Sequence, residues 1–306
     1  MNEQNSFRPH AQNDQAAFRA QTLIEALPYL RKFAGQTVVI KYGGHAMVDD
    51  ELKKSFALNV ILLRAVGIYP VVVHGGGPQI SRLLKQLNIV SEFVDGMRVT
   101  TPEVMDVVQM VLLGQVNTSI VGLINQHGGR AVGLSGHDGS MIRASRLQLA
   151  RESAGQQPPE IVDIGLVGEP EKVDPQVLRT LEHGQFIPVI APVGVGPEGE
   201  SLNINADLVA AAIAAGLRAS KLILLTDTRG VLDGEGNLIQ EMTPVQVGEL
   251  MEAGVIKGGM IPKVSCCLEA LEAGVERAHI IDGRVPNAIL LEVFTDSGIG
   301  TVFKSR

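Results

Sequence analysis

The stretch Val71-Val72-Val73-His74-Gly75-Gly76-Gly77-Pro78 decides the fold of this chain. Its three consecutive β-branched residues predict a buried strand, and the three glycines end that strand. Beyond the proline, apolar residues recur at helical spacing, at Ile80, Leu83, Leu84 and Leu87. The stretch therefore predicts a strand, a glycine turn and a helix. Such a turn lets the backbone approach an anion closely and points helical N–H groups at it, although a plain tight turn is an equally good interpretation.

The chain on either side of this turn alternates between strands and helices. Thr37–Lys41 predicts the first strand, Asp50–Ala65 a helix, and Pro102 begins a long helix that runs towards Gln126. The second half repeats the pattern, with helices over 207–217, 243–253 and 260–273 and strands over 221–226 and 278–282. This alternation predicts an α/β three-layer sandwich, with a mainly parallel central sheet and helices on both faces. A short last strand, Val302–Phe303, is expected at an edge of the sheet.

Two composition changes divide the chain. Residues 1–33 are predicted to form an N-terminal arm, disordered over 1–13 and then an amphipathic helix capped by Asp14 and kinked or divided at Pro28. A Gly- and Pro-rich stretch at 194–199 predicts the boundary between a lobe over 34–196 and a lobe over 197–306.

Composition excludes several classes of function. The chain has 306 residues and a formal charge of −7, which argues against a nucleic-acid binder but leaves room for an anionic substrate. No apolar run is expected to approach the roughly 20 residues of a membrane span, and the polar stretch Met1–His10 does not suggest a secretory signal. The only cysteines, Cys266 and Cys267, are adjacent, so neither a loop-closing disulfide nor a metal site is expected. A reducing cytoplasm is the predicted compartment.

Two lysines are candidates for contact with a phosphate. Lys41 comes directly before Gly43 and Gly44 at the carboxyl end of a predicted strand, the edge where parallel α/β sheets bind ligands. A solvated lysine at a strand end is the alternative. Lys263 stands near the start of a predicted helix, where the helix dipole disfavours a cation. Because it breaks a local rule, Lys263 is a candidate for function.

Other polar residues carry weaker signals. Arg98 has the fork geometry that grips a carboxylate, although a lone arginine in a loop is more often a surface charge. Asn205 is expected to cap a helix that has Asp207 in its first turn, which alone explains both residues. Ser135–Asp138 contains the letters of a hydrolase triad, but contiguous residues cannot adopt triad geometry, so a polar turn is expected.

Five short motifs resemble the amino-acid kinase family, and within it the acetylglutamate kinases. They are KYGG at 41–44, HGGGPQ at 74–79, GMRVT at 96–100, NINAD at 203–207 and GGMIPK at 258–263. The motifs follow the family's order, and the resemblance spans residues 36–303. It implies phosphoryl transfer from ATP to the side-chain carboxylate of N-acetyl-L-glutamate, a step of arginine synthesis. It also implies that the first lobe binds acetylglutamate and forms dimers, while the second binds the nucleotide.

The resemblance implies a role for each matching residue. Lys41 and Lys263 would stabilise the transferring phosphoryl group, and Asp207 would orient both lysines. The implied substrate-binding residues are Gly44, Gly76, Gly77, Arg98 and Asn203. The implied nucleotide-binding residues are Thr226, Asp227, Gly230, Val231 and Lys263. The acceptor carboxylate, with a pKa of about 4.3, is already ionised at neutral pH, so no general base is needed. Mg²⁺ is expected to be held mainly by the ATP phosphates, because no acidic ligand set stands out.

The arm suggests regulation. Arginine-inhibited members of the family carry an N-terminal helix that links dimers into a hexamer, and Glu292 and Gly298 resemble their arginine-binding region. The resemblance thus implies a trimer of dimers inhibited by L-arginine, and some photosynthetic members also bind a signalling protein of the PII type. Three alternatives stay open: an aspartate, carbamate, uridylate or glutamate 5-kinase of the same family, a non-catalytic sensor of arginine or acetylglutamate, and, more remotely, an NAD-binding protein.

Overall fold

The computed structural model describes residues 9–151, 160–295 and 298–305. The strands of this part are β1 Thr37–Tyr42, β2 Tyr69–His74, β3 Phe93–Val94, β4 Met97–Arg98, β5 Ala131–Leu134, β6 Ile142–Arg146, β7 Leu149–Arg151, β8 Glu160–Val162, β9 Val167–Val173, β10 Ile187–Ile190, β11 Val193–Val195, β12 Ser201–Ile204, β13 Lys221–Thr226, β14 Glu241–Met242, β15 Arg277–Asp282 and β16 Thr301–Phe303. The helices are α1 Pro9–Phe33, α2 Asp50–Ala65, α3 Gly77–Gln86, α4 Pro102–Gln109, α5 Thr118–Gln126, α6 Gln176–His183, α7 Ala206–Leu217, α8 Pro244–Glu252, α9 Met260–Glu272 and α10 Ala288–Phe294.

The central layer is an eight-stranded sheet in the order β14-β16-β15-β13-β1-β2-β10-β5. All neighbouring strands are parallel except β15 and β16. Lys41 lies opposite Val73 of β2 and Leu224 of β13, so the carboxyl ends of these three strands meet at one edge. The predicted parallel sheet is confirmed. The prediction that Val302–Phe303 forms an edge was wrong, because the two-residue strand β14 lies outside it.

Apolar cores lie on both faces of the sheet. Val38 and Ile40 of β1 belong to a cluster that includes α2 and the long helix, while Val39 between them belongs to a cluster with α7 and α9. The split follows from the alternation of side chains along a strand. Since both faces are buried, β1 is apolar throughout its centre, as parallel strands are. The three-layer sandwich is confirmed.

A small closed barrel, β11-β12-β9-β6, accompanies the sheet. The stretch that we used to place the lobe boundary forms the end of β11 and the turn into β12, two strands that pair antiparallel. Strands from both predicted lobes share the large sheet, with β1 of the first paired to β13 of the second. The division at residues 196 and 197 stays a prediction.

The arm is more regular than its sequence suggests. Helix α1 starts at Pro9, so the predicted disorder was wrong for residues 9–13, and residues 1–8 lie outside the described part. Asp14 lies inside the helix and does not cap it, and Pro28 does not divide it, since a proline removes only one helical hydrogen bond. The helix ends on the buried Phe33, while four of its large apolar residues are exposed: Phe18, Leu23, Ile24 and Leu27.

A continuous 25-residue helix runs from Pro102 to Gln126, through α4, a π-helical segment at Met110–Asn117 and α5. By length and composition it is apolar enough to cross a membrane, so the prediction that no run approaches that length was wrong. Its scattered glutamines and asparagines obscured this in the sequence. Its apolar residues, such as Val108 and Ile124, pack into the core beside the sheet, which is where core helices of α/β proteins lie.

Candidate active site

A buried carboxylate between two lysines lies at the carboxyl edge of the sheet. Asp207 stands in the first turn of α7. The Asn205 side chain caps this helix, as predicted, because Asn205 Oδ1 accepts from the Asp207 N–H at 2.8 Å. Lys41 Nζ lies 3.0 Å from Asp207 Oδ1, and Lys263 Nζ donates to Asp207 Oδ2 at 2.7 Å. The predicted trio thus comes together from β1, α7 and α9.

The charges of this trio do not cancel. Burial works to raise the pKa of Asp207, but Lys41 and Lys263 outweigh it and hold that pKa below its usual value. Asp207 is therefore ionised at neutral pH. Two ammonium groups against one carboxylate leave one surplus positive charge, and the lysine side chains keep 12% and 22% of their surface exposed. The cluster is suited to receive an anion.

A cavity of about 280 Å³ opens beside this cluster. Its lining includes Lys41, both glycine turns, Arg98 and Asn203. Gly76 caps α3 and Gly77 is its first residue, so their N–H groups have no helical acceptor. A Cβ on Gly76 would lie 2.5 Å from Leu112 of the long helix, so close packing requires glycine there. Gly44 has a φ of +69°, which also favours glycine.

Arg98 is buried at the cavity wall with neutral partners. Its guanidinium donates to Ser91 Oγ, to Ser81 Oγ at 2.7 Å and to Gly77 O at 3.3 Å. It also lies 4.6 Å from the ring centre of Phe93. Burial lowers its pKa from the ordinary arginine value. A guanidinium whose partners among the described residues carry no charge retains its full attraction for a carboxylate.

Asn203 is fixed next to Arg98. Its Nδ2 donates to Thr100 Oγ1 at 3.1 Å, and that hydroxyl donates to the Arg98 carbonyl at 2.8 Å. The structure therefore brings both predicted carboxylate-binding residues to the same wall of the cavity.

The predicted nucleotide residues follow the neighbouring strand. Thr226 ends β13, two positions beyond the residue that faces Lys41, and Asp227 follows it. Gly230 has a φ of +146°, and a Cβ there would lie 2.6 Å from Thr301 Oγ1. The Val231 side chain is buried, and its N–H donates to Thr301 Oγ1 at 2.8 Å. These residues lie beside the lysine cluster at the same edge, outside the lining of the cavity.

A sequence model of the Amino acid kinase family matches residues 36–282. The chain belongs to the amino acid kinase family. It is 62% identical over 283 residues to an acetylglutamate kinase of Geobacter metallireducens, covering 92% of this chain and 97% of the relative. It is 59% identical over 283 residues to an acetylglutamate kinase of Syntrophobacter fumaroxidans, covering 92% and 95%.

Solved structures show the same fold. An N-acetylglutamate synthase of Neisseria gonorrhoeae, complexed with coenzyme A and N-acetyl-glutamate, matches with a TM-score of 0.79 at 26% identity, over 94% of this chain and 63% of that one. A carbamate kinase of Giardia lamblia bound to AMP-PNP matches with a TM-score of 0.63 at 18% identity, over 89% and 99%. The predicted family, fold and enzyme class, a kinase, are confirmed.

In this amino acid kinase a second charged cluster lies towards the opposite edge of the sheet. Glu292 Oε1 accepts from His279 Nδ1 at 2.7 Å, and Lys221 Nζ donates to His279 Nε2 at 3.2 Å. Glu292 Oε2 accepts from the Ile299 N–H at 2.8 Å. The predicted effector residues Glu292 and Gly298 do meet, because a Cβ on Gly298 would lie 2.9 Å from Glu292 Oε2.

The sequence predicts a polar turn at Ser135–Asp138, and neither a metal site nor a disulfide at the two cysteines. Ser135 Oγ donates to Asp138 Oδ2 at 3.0 Å and the Ser135 N–H to the same oxygen at 2.7 Å, so this stretch is a polar turn, as predicted. Within residues 9–151, 160–295 and 298–305, no three His, Cys, Asp or Glu residues group as metal ligands. Cys266 and Cys267 are free, buried thiols, and burial raises the pKa of Cys266 to about 12.

Sequence reasoning missed the residues that support the site. Ser81 and Ser91, which hold Arg98, carry no signal except their place near the glycine turn. Asp282, at the end of β15, accepts from Arg284 Nη2 at 2.8 Å beside Thr226, and its place at a strand end was the available signal. His74 and Asn117 were missed because they pair across 43 residues of chain.

Proposed function

We propose that this chain catalyses the ATP-dependent phosphorylation of the side-chain carboxylate of N-acetyl-L-glutamate to N-acetyl-L-glutamyl 5-phosphate, a step of arginine biosynthesis. The acetylglutamate kinases that are 59–62% identical over nearly the whole chain support this activity. The observation that carries the proposal is the placement of Asp207 between Lys41 and Lys263, beside a cavity that Lys41 and Arg98 line.

The difficulty of this reaction is electrostatic. A carboxylate must approach a polyphosphate, and both are negatively charged at neutral pH. Fixed positive charge and positioning are therefore the main sources of catalysis. Lys41 and Lys263 supply the charge, Asp207 aims both ammonium groups, and the N–H groups of Gly76 and Gly77 offer further donors. No general base is required, because the acceptor carries no proton.

We assign substrate orientation to two other residues that line the cavity. Arg98 and Asn203 would bind the α-carboxylate end of N-acetyl-L-glutamate, which leaves the side-chain carboxylate directed at the lysines. Arg98 suits this role because it is buried without a charged partner among the described residues. Gly44 would add a backbone donor near the reacting group, since it follows Lys41 at the carboxyl edge of β1.

The family implies ATP as the phosphoryl donor. The residues suited to the nucleotide are Thr226, Asp227, Gly230, Val231 and Lys263. The surplus positive charge of the lysine cluster fits a triphosphate. Mg²⁺, when bound, would neutralise phosphate charge. We assign it mainly to phosphate oxygens, because Asp207 is occupied by two lysines.

The activity is tested by measuring ADP release from MgATP with N-acetyl-L-glutamate, L-glutamate, L-aspartate, carbamate or UMP as acceptor. Hydroxylamine in the assay would trap an acyl phosphate as a hydroxamate. We expect ADP and hydroxamate in equal amounts when N-acetyl-L-glutamate is the acceptor, and neither product with the other four acceptors. Activity with another acceptor would assign the chain to a different kinase of the family. Binding of N-acetyl-L-glutamate without ADP release would support a sensor instead.

We further propose a hexamer, built as a trimer of dimers and inhibited by L-arginine. The exposed apolar residues of α1, Phe18, Leu23, Ile24 and Leu27, support a contact between arms of neighbouring subunits. The pairing of Glu292 with His279 supports an arginine site, because a guanidinium would pair with the same carboxylate. A cytoplasmic location is supported by the two free thiols. A PII-type partner stays a prediction, for which the described residues offer no specific surface.

A further inference from the structure

His74 is a buried histidine directly before the glycine turn, and the proposed mechanism does not use it. It ends β2 and has no exposed surface. One ring nitrogen, Nδ1, lies 2.8 Å from the carbonyl oxygen of Gly75. The other, Nε2, lies 3.1 Å from Nδ2 of Asn117 on the long helix. Both ring nitrogens therefore have a partner, and one partner belongs to the glycine turn itself.

The chemistry of these partners fixes the tautomer of the ring. Asn117 Nδ2 also lies 2.9 Å from the carbonyl oxygen of Val189, which can only accept. The Asn117 amide must therefore present its NH₂ group, so that His74 Nε2 accepts a hydrogen bond. Nδ1 then carries the proton and donates it to Gly75 O. Burial lowers the pKa of His74 to about 4, which agrees with a neutral ring.

The neighbouring strand β5 leaves room for the Asn117 amide. A Cβ on Gly133 would overlap Asn117 Oδ1, so the amide occupies space that glycine leaves open on β5. Turning the amide over would place its oxygen against the Val189 carbonyl oxygen and against the Nε2 lone pair. His74 of β2 and the Val189 carbonyl of β10 thus hold Asn117 in one orientation.

The bond from His74 determines where the next N–H group points. In a trans peptide the carbonyl and the N–H point in opposite directions. Because the Gly75 carbonyl is held by a side chain in the interior, the Gly76 N–H of the same peptide is directed away from the interior, towards the cavity. The preceding peptide is fixed as well, since the Gly75 N–H donates to Tyr42 O at 2.8 Å.

The π-helical segment Met110–Asn117 brings the long helix to this turn at two points. Asn117 reaches His74 from its last position, and Leu112 and Val116 pack against Gly76. π-Helical turns occur frequently at functional sites. The irregular winding here places a polar residue and two apolar ones on the same glycine turn.

We propose that Asn117 and His74 form a buried relay that fixes the Gly75–Gly76 peptide with its N–H directed at the transferring phosphoryl group. The proposal rests on the assignment of the cavity to phosphoryl transfer. His74 is a positioning residue, because it is fully buried and does not line the cavity. Its contribution is to hold a donor in place before the reaction, so that no reorganisation is needed when charge develops on the phosphoryl oxygens.

Two substitutions separate the functions of the two ring nitrogens. His74→Asn places an amide near the position of Nδ1 and retains a donor for the Gly75 carbonyl. His74→Gln places its amide near Nε2 and loses that donor. We expect His74→Gln to lower kcat by roughly 10- to 100-fold, the size of effect typical of a lost supporting hydrogen bond, with KM for both substrates little changed. His74→Asn is expected to recover most of the loss.

Equal losses of kcat in the two variants, or a larger loss in His74→Asn, would overturn the relay. A rise of KM with unchanged kcat would show that the turn serves ground-state binding instead. A wild-type protein without kinase activity would overturn the proposed function and leave the hydrogen bonds of His74 to be judged by spectroscopy.

The tautomer is measurable without a variant or an assay. In the ¹⁵N spectrum of histidine side chains in the intact wild-type protein, the resonances assigned to His74 should show a protonated Nδ1 and an unprotonated Nε2 at pH 7, with no change down to pH 5. A protonated Nε2 or a charged ring at pH 7 would contradict the relay, whatever the variants do.

Discussion

Two charged clusters lie towards opposite edges of the same sheet, and they differ in charge and in access. At the carboxyl edge, two lysines face Asp207 and leave a surplus positive charge beside a cavity. Towards the amino edge, Lys221 and Glu292 flank His279, and all three residues are less than a tenth exposed. Burial lowers the pKa of His279 to about 4, so this histidine is neutral and the cluster is balanced.

The difference shows what makes a buried charge cluster chemically useful. In the Lys221 cluster, His279 donates to Glu292 and accepts from Lys221. Burial lowers the pKa of Lys221 to about 8, because this buried site disfavours even one cation. The Asp207 cluster holds two cations because a cavity and solvent lie next to them. The Asp207 cluster has a surplus positive charge for an incoming anion, whereas the charges of the Lys221 cluster are paired within it.

The comparison predicts its largest effect at Lys263. Lys263→Ala should lower kcat by roughly 10²–10³-fold, the loss typical of one transition-state donor, with a smaller change in substrate binding. Lys257→Ala is the matched control, because Lys257 is an exposed lysine just before α9. Steady-state kinetics of both variants measures this. A Lys263→Ala enzyme with near wild-type kcat would remove Lys263 from the phosphoryl site.

The next effect is expected at Arg98. Arg98→Lys should raise KM for N-acetyl-L-glutamate by roughly 10- to 100-fold, because lysine lacks the planar fork that binds a carboxylate with two hydrogen bonds. KM for ATP should change little. Arg82→Lys, an exposed arginine on α3, provides the control. Equal changes in both KM values would mean that Arg98 supports the fold of the cavity and does not bind the substrate.

Much of the active-site edge was predictable, because its signals are local. Three valines before three glycines, and a lysine at a helix start, are patterns within a few residues. The hydrogen bonds of His74 with Asn117 and of Arg98 with Ser81 join residues far apart in the sequence, so no short sequence pattern predicts them. The Lys221 cluster was predicted only in part. Glu292 and the adjacent Gly298 came from the resemblance, while Lys221 and His279 needed the pairing of β13 with β15.

The arm offers a test of assembly that leaves the buried end of the arm intact. Phe18 and Ile24 are exposed on α1, whereas Phe33 packs beneath Lys221, 5.1 Å from its ammonium group. Replacing both exposed residues, Phe18→Gln with Ile24→Gln, should reduce the mass measured by light scattering from six subunits to two. The basal kcat should be retained. The exposed Arg19→Gln is the control. A double variant that remains hexameric would show that the arm does not join the dimers.

The smallest effect on catalysis is expected at Glu292. Glu292→Gln should leave the basal kcat within about twofold, because Glu292 belongs to the Lys221 cluster and does not line the cavity. Inhibition by L-arginine should be lost. The variant should also lose about 1–3 kcal/mol of unfolding free energy at pH 7, the usual cost of removing a charged hydrogen-bond partner. Urea unfolding and inhibition curves measure the two effects. Retained inhibition would exclude Glu292 as the effector carboxylate.

The pH dependence of that stability difference has a definite sign. Burial works to raise the pKa of Glu292, but the bonds from His279 and Ile299 and the charge of Lys221 outweigh it and lower the pKa. A lowered carboxyl pKa stabilises the fold above the unfolded value of about 4.3 and ceases to do so as pH falls through the folded value. The gap between the wild type and Glu292→Gln should therefore be full at pH 7 and shrink below about pH 4. A gap that widens in acid would contradict the charged pairing.

The most direct test of the role of the Asp207 cluster is the affinity of the protein for a transition-state mimic. ADP with aluminium fluoride and N-acetyl-L-glutamate imitates the planar phosphoryl group between donor and acceptor. Calorimetry should show that Lys263→Ala weakens binding of this complex by roughly 10²–10³-fold and binding of ADP alone by a much smaller factor, because the surplus charge acts mainly on the transferring group. Equal weakening of both ligands would contradict the claim that the Lys41–Asp207–Lys263 cluster serves phosphoryl transfer.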